Sequence, residues 1–439
     1  MTRFLVNPIT TRVFRLVVLL ALMAGPWALV APAPTIAGGG QTFTVNSRAD
    51  TDDGECEPFV FSPPANCTLR EAINAANANA GADTIAFNIA LAGVLTIEPT
   101  TQLPAITDPV TINGYTQPGA TKNTLKQGTN AVLLIEISGN AAPAGAHGLL
   151  IEQGPATIRG LVINKFQENG GSGGSGISMP NVAGNTDNII AGNFLGVDPT
   201  GALDEGNEVD GVQCFGLCGA SRIGGPHPAD RNLISGNGRN GVFLNADDSR
   251  VQGNLIGTDK FGSGDLGNDD EGVSVGGDNN LVVGNRIAFN GLAGVGVGGG
   301  TGHRISRNAI FDNTGLGIDL GEDGRTGNDA APDADTGANN FQNFPELDAA
   351  TTSSSGTTIK GKLKSTPRTT FIIEFFANAP GEDEGEKFIG KTTIETNGNG
   401  SASFTFHPKK KVAVGKTVTA TATDEDGNTS EFSDPETVA

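Results

Sequence analysis

A glycine followed by two apolar residues spaced two apart recurs between residues 148 and 321. The copies are Gly148-Leu-Leu-Ile, Gly176-Ile-Ser-Met, Gly211-Val-Gln-Cys, Gly241-Val-Phe-Leu, Gly272-Val-Ser-Val, Gly294-Val-Gly-Val and Gly317-Ile-Asp-Leu. A second phrase lies between them, an Asn flanked by apolar residues, as in Ile190/Asn193/Leu195, Val251/Asn254/Ile256, Val282/Asn285/Ile287 and Ile305/Asn308/Ile310. The glycines are 28, 35, 30, 31, 22 and 23 residues apart. A unit of 22 residues cannot hold two helices and their turns, and its apolar residues alternate with polar or small ones as strands require. Helical repeats are further excluded by the 64 Gly, each costing ~1 kcal/mol in a helix interior. The chain is therefore expected to be all-β, with short strands stacked coil upon coil in a parallel β-helix.

In such a solenoid Val242, Val273, Val295 and Ile318 form one inward column, and Leu244, Val275, Val297 and Leu320 another. Asn193, Asn232, Asn254, Asn285 and Asn308 suit the bends, where a side-chain amide can bond the next coil. The first coil has Leu161 where Asn is expected. A longer repeat is superposed. Asn193 to Gly211, with Asp198 and Gly201, matches Asn254 to Gly272, with Asp259 and Gly262, at an offset of 61 residues. Two long loops leaving one corner would flank a notch one coil wide.

Residues 1–37 read as a secretory signal: Arg3, Arg12 and Arg15, an apolar Leu16–Ala24, and small residues at Thr35-Ile-Ala37. Its removal leaves 25 basic and 48 acidic residues, a net charge of −23, with no other membrane-spanning stretch and no Trp. Residues 38–110 hold a capping region. Thr68-Leu-Arg-Glu71 is a capping box opening a helix with an apolar face of Leu69, Ala72, Ile73 and Ala76, a natural lid for the first coil. The solenoid is placed at 111–322, an acidic linker or last coil at 323–346, and a small β-sandwich of Ig-like or fibronectin-like kind at 347–439, where five or more long alternating strands appear. Cys56 and Cys67 flank a Pro-containing loop and suit a bridge in an exported chain. Cys214 stands at an inward apolar position, so a buried thiol competes with a short Cys214–Cys218 bridge.

Three segments resemble one family. Cys67-Thr-Leu-Arg-Glu-Ala72 resembles the segment for which the CSLREA domain is named, with Thr68 where Ser is usual. Asn254-Leu-Ile-Gly-Thr-Asp259 and Ile234-Ser-Gly-Asn237 resemble right-handed parallel β-helix proteins of the pectate-lyase-like superfamily. Asn340-Phe-Gln-Asn-Phe-Pro345 and Gly427-Asn-Thr-Ser-Glu-Phe432 resemble the tail module that accompanies them in exported bacterial proteins. The resemblance covers nearly all of the mature chain. It implies a right-handed coil and export to the cell surface or beyond, and it says little about activity.

Hydrolase and lyase signatures are fragmentary. Asn185-Thr-Asp187, Asp247-Asp248 and Gly302-His303-Arg304-Ile305 imitate parts of a polygalacturonase-type site, with the acids about 60 residues apart rather than on adjacent coils, and His303 falling in a turn. A lyase needs a base beside acids, commonly with Ca2+. The long loops offer Asp204, Asp265, Asp269, Asp270 and Glu271 as groove acids and Lys260, Arg222, Arg231 and Arg239 as bases, all equally readable as solvated charges. Asp329, Asp333 and Asp335, with Asp323 and Asp319 upstream, give hard oxygen ligands suited to Ca2+. The Phe residues mostly occupy apolar strand positions, and only Tyr115 remains as a polar aromatic. Nucleic acid is excluded as a partner by the acidity. The expected role is binding or adhesion toward glycans or surface partners, with Ca2+ as the cofactor suggested. The rivals are a polysaccharide lyase or glycoside hydrolase acting in the notch, and a structural envelope component.

Overall fold

The computed structural model describes residues 39–54, 56 and 66–439, so the expected signal at 1–37 lies outside the described residues. Three parallel sheets of nine, eight and seven strands stack in register and form the solenoid. A coil runs through one strand of each. Ala156–Arg159 belongs to the first sheet, Leu161–Asn164 to the second and Ile177–Met179 to the third. Pairing in the first sheet runs back to Thr42–Val45 and Asp83–Phe87, so strands of the capping region 38–110 already belong to the stack.

The glycine motif opens the third sheet. Val212, Val242, Val273, Val295 and Ile318 are register partners, as are Cys214, Leu244, Val275, Val297 and Leu320. All are buried. Burial of each aliphatic side chain contributes ~1.5–3 kcal/mol. The preceding glycine is required by close approach rather than by an unusual φ. A Cβ on Gly241 would stand 2.7 Å from the Gly272 carbonyl oxygen and 2.7 Å from Ile256 Cγ2.

The expected Asn column is a continuous amide ladder. Asn232 Nδ2 donates to Asn254 Oδ1 (2.9 Å), Asn254 Nδ2 to Asn285 Oδ1 (3.1 Å) and Asn285 Nδ2 to Asn308 Oδ1 (3.0 Å). Leu161 is where it ends, its N–H donating to Asn193 Oδ1 at 3.1 Å. A second ladder, not anticipated, links Asn207, Asn237, Asn268, Asn290 and Asn313 with amide bonds of 2.8–3.0 Å. These buried bonds satisfy backbone and side-chain groups at bends where no strand pairing can. His303 falls in the expected turn between strands. It is fully buried, with its backbone N–H donating to Asn339 Oδ1 (2.9 Å) and burial holding its pKa below the usual value.

Both ends of the stack are covered. The helix Leu69–Ala78 has the expected capping box at Thr68 and Glu71 and buries Leu69, Ala72, Ile73 and Ala76. It packs on the strands Thr42–Val45 and Asp83–Phe87. At the other end stands a sandwich of one three-stranded and one four-stranded antiparallel sheet, including a strand Glu346–Ser353 beyond those expected. Its core holds Ile359, Leu363, Phe371, Ile373, Phe375, Val418 and Ala420. Three of its glutamates cap backbone N–H groups left open by the last coils. Glu374 accepts from Arg307 (2.9 Å), Glu384 from Asn313 (3.2 Å) and Glu431 from Leu320 (3.2 Å). Burial pushes the Glu384 and Glu431 carboxyls up to about 7.

Candidate functional site

The long loops do not stand apart around a notch. Lys260 N–H donates to Gly201 O at 2.9 Å, joining the loops directly. The shorter coil between them pairs on both sides, with Gly238 N–H to Asn207 O (2.8 Å) and Asp269 N–H to Asn237 O (2.9 Å). An open notch would strand these backbone groups, so the intervening coil fills it. Asp198 and Asp259 each bind three N–H groups of their own loop. Asp204 and Asp265 each accept from the glycine two residues on. Burial, with the nearby Asp269 and Glu205 charges, raises the Asp204 pKa. The four bases are likewise engaged elsewhere. Lys260 lies 5.4 Å from the Phe261 ring centre, and Arg239 pairs with Glu168 at 2.9 Å. Arg222 is 3.9 Å from Asp230, and Arg231 donates to backbone carbonyls. Asp187 and Asp248 occupy bend positions with φ of 60° and 55°.

The acids gather instead on the outward face of the third sheet. The residues preceding its glycines include Asp210, Asn240 and Glu271. Asp210 accepts from the Asn240 side chain (3.0 Å) and Gln213 Nε2 (3.1 Å). Burial carries its pKa to about 6. Between the two inward columns runs an outward column of Ser178, Gln213, Phe243, Ser274, Gly296 and Asp319. Glu322 leaves the last turn and folds back over this column, where its Oε1 accepts from Ser274 Oγ at 2.8 Å. A Cβ on Gly296 would lie 2.8 Å from Glu322 Oε1 and 3.0 Å from Glu271 Cγ. The two glutamates thus converge over the one residue that leaves them room. Burial, then the Glu322, Asp270 and Asp319 charges, pushes Glu271 up to about 7.

Beside this pair lies an aromatic surface that strand position alone assigns to the core. Phe243 and Phe215 pack with ring centres 4.9 Å apart, and Phe215 is 40% exposed. A cavity of about 330 Å³ is floored by Gly276, Gly277 and Gly298 and walled by Phe243, Asn245 and Glu322. It offers an apolar ring, an amide and the Glu322 carboxyl group, with Glu271 next to Glu322 over Gly296. That set can stack on a sugar ring and exchange hydrogen bonds with its hydroxyls. Phe243, Asp210 and Glu322 escape sequence reading. Asp210 and Phe243 sit at fixed offsets from repeat glycines and could have been found there, whereas Glu322 lies past the last repeat.

Asp329, Asp333 and Asp335 do come together, each offering an oxygen within 4.8 Å of the others. Asp333 Oδ2 accepts from Ser365 Oγ, Gln342 Nε2 and Asn343 N–H, while its Oδ1 is buried without a partner. An oxygen-only set with one unpartnered buried carboxyl oxygen fits a hard divalent cation. Asp319 turns away, accepting from Gly324 N–H. Disulfides join Cys56 to Cys67 and Cys214 to Cys218, with Cα–Cα distances of 4.6 and 5.8 Å. They point to an oxidising or extracellular setting. No helix among the described residues is long and apolar enough to cross a membrane.

No protein-family model and no curated protein matches the chain. Two solved structures are similar at low identity. One is the enzymatically active domain of tailspike protein 2 of bacteriophage CBA120, at 11% identity over 81% of this chain and 69% of that chain, with a TM-score of 0.17. The other is tailspike protein gp49 of the Acinetobacter baumannii bacteriophage Fri1, a capsular polysaccharide depolymerase, at 8% identity over 80% and 77% of the two chains and a TM-score of 0.13. Likenesses at this level carry no weight for activity.

Proposed function

We propose that this is an exported β-helix protein of the CSLREA type that binds glycans along the outward face of its third sheet. The supporting observation is the Phe243–Phe215 surface beside Glu271 and Glu322, which converge over Gly296. An aromatic ring next to hydrogen-bonding side chains on a rigid sheet is what recognition of a sugar ring needs, and the strands supply it without a loop having to order. The Asp329, Asp333 and Asp335 group would hold Ca2+ between solenoid and sandwich, stiffening that junction. A glycan array run on the purified protein with calcium is expected to return a discrete set of bound sugars, with signals weakened in Phe243→Ala and in Glu322→Gln. An array without hits overturns the proposal.

One observation favours a second reading, glycosidic bond hydrolysis. A carboxyl raised to about 7 beside another carboxylate resembles an acid with its partner base. Digestion of the bound polysaccharide followed by reducing-end release separates the two readings. Release that stops in both Glu271→Gln and Glu322→Gln establishes hydrolysis, and binding without release leaves the site as a binding face.

A further inference from the structure

The acidic face has a counterpart of opposite sign. Around the second sheet a separate cavity of about 330 Å³ is lined by Lys126, Arg231, Arg286 and Arg307, with Phe261 at its side. Four cations lining one cavity are unexpected in a chain of net charge −20. Among the described residues none of the four forms an ion pair with a carboxylate. Asp259, Asp312 and Glu386 act on Arg286 only from a distance.

The three arginines do different work. Arg231 is a strut. It donates to the carbonyls of Leu125 (3.1 Å), Lys126 (3.0 Å) and Gly253 (3.0 Å), and also to Gly128, pinning the loop that forms one wall. Arg286 donates from Nε to Gly262 O, and its guanidinium carbon lies 4.3 Å from the Phe311 ring centre. Arg307 lies 5.8 Å from the ring centre of Phe388, contributed by the sandwich. A ring contact fixes the plane of a guanidinium and leaves its edge N–H groups free. Among the described residues the Nη groups of Arg286 and the side chain of Arg307 donate no hydrogen bond. Phe261 is 67% exposed, an apolar ring next to unspent cationic donors.

We infer that this cavity is a binding site for an oxyanion-bearing ligand, its carboxylate or phosphate held by Arg286 and Arg307 and its body lying on Phe261. Planar guanidinium groups are suited to such anions, and a cavity wall screens them less than open water does. The site lies on a different face from the proposed glycan surface and does not depend on it.

Calorimetric titration of the full mature chain with inorganic phosphate, trigalacturonate and a neutral galactose trisaccharide, at fixed ionic strength, tests the inference. Saturable binding of phosphate or trigalacturonate is expected, with none of the neutral sugar at this site. Arg286→Gln and Arg307→Gln should each weaken it tenfold or more, with melting temperature recorded as a control on folding. Phe261→Ala, in an exposed loop, should weaken trigalacturonate and spare phosphate. Equal loss of both in this variant overturns the ring contact. Binding confined to phosphate assigns the ligand to a free oxyanion rather than a uronate. If neither anion binds, or if Phe243→Ala abolishes trigalacturonate binding while the double arginine variant leaves it intact, the inference is overturned.

Discussion

The outward faces of the third and second sheets are built on the same coils and have opposite chemistry. The third presents Glu271, Asp319 and Glu322 along the column that holds Phe243. The second presents Arg286, with Arg307 in the bend before its last strand, near Phe261. The inward positions of both are filled by the same kinds of aliphatic side chain, locked by the same glycine and asparagine columns. The stack constrains what points in and leaves what points out nearly free, so one rod can carry unlike sites a strand or two apart.

The most damaging change should remove the comparison altogether. Gly241→Val drives a side chain into the Gly272 carbonyl and Ile256, which overpacking alone makes a loss of ~3 kcal/mol or more. Both binding activities should fall together with a drop in melting temperature measured by circular dichroism. Asn254→Ala should act the same way by orphaning buried amides at ~1–3 kcal/mol each.

Acidity should next separate the faces. Glu271, Glu384 and Glu431 have folded pKa values of about 7 against a usual 4.5, so the folded state holds protons that the unfolded state releases. Their stabilising contribution is complete below about 4.5 and is lost as pH rises through about 7. Glu71 and Asp198, whose pKa values are lowered, act oppositely and lose their contribution only when pH falls through the ordinary carboxylate range. Melting temperature should therefore be higher at pH 5.5 than at pH 8, and Glu384→Gln should flatten that slope. Glycan affinity should shift across the same window, which the phosphate site, lined by no carboxyl group, should not follow.

Smaller effects sharpen the contrast. Phe243→Ala should weaken glycan binding by about three- to tenfold, ~1 kcal/mol, and leave phosphate binding unchanged. Calcium should raise the melting temperature by a few degrees in the native chain, and Asp333→Asn or a chelator should abolish that increment. Absence of any calcium effect in calorimetry removes the metal from the proposal.

The scaffold was legible because it repeats. Apolar residues alternate, and each ladder amide must recur once per coil. The second ladder was readable too, since Asn207, Asn237, Asn268, Asn290 and Asn313 each stand four residues before a motif glycine. Insertions of unequal length between the copies hid it. The loop interruptions misled in a different way. Asp204 and Asp265 look like groove acids in sequence, yet each accepts a hydrogen bond from a glycine of its own loop. The two sites were not legible, because each draws on segments without periodicity. Glu322 returns over the sheet after the repeat has ended, and Arg307 meets Phe388 from a separate sandwich across 81 residues of chain. Chemistry at outward positions obeys no rule of spacing.

The glutamates that meet the last coils have a consequence for assembly. A stack of parallel strands offers its terminal coil as a template, and a second chain could add there and be followed by a third. Glu374, Glu384 and Glu431 occupy the donors such an addition would use. The sandwich is in this sense a terminator that fixes the length of the rod. Removal of residues 347–439 should let purified chains join end to end into filaments, visible as a rise in sedimentation and light scattering. A truncated chain that stays monomeric at high concentration would show that the solenoid stops itself.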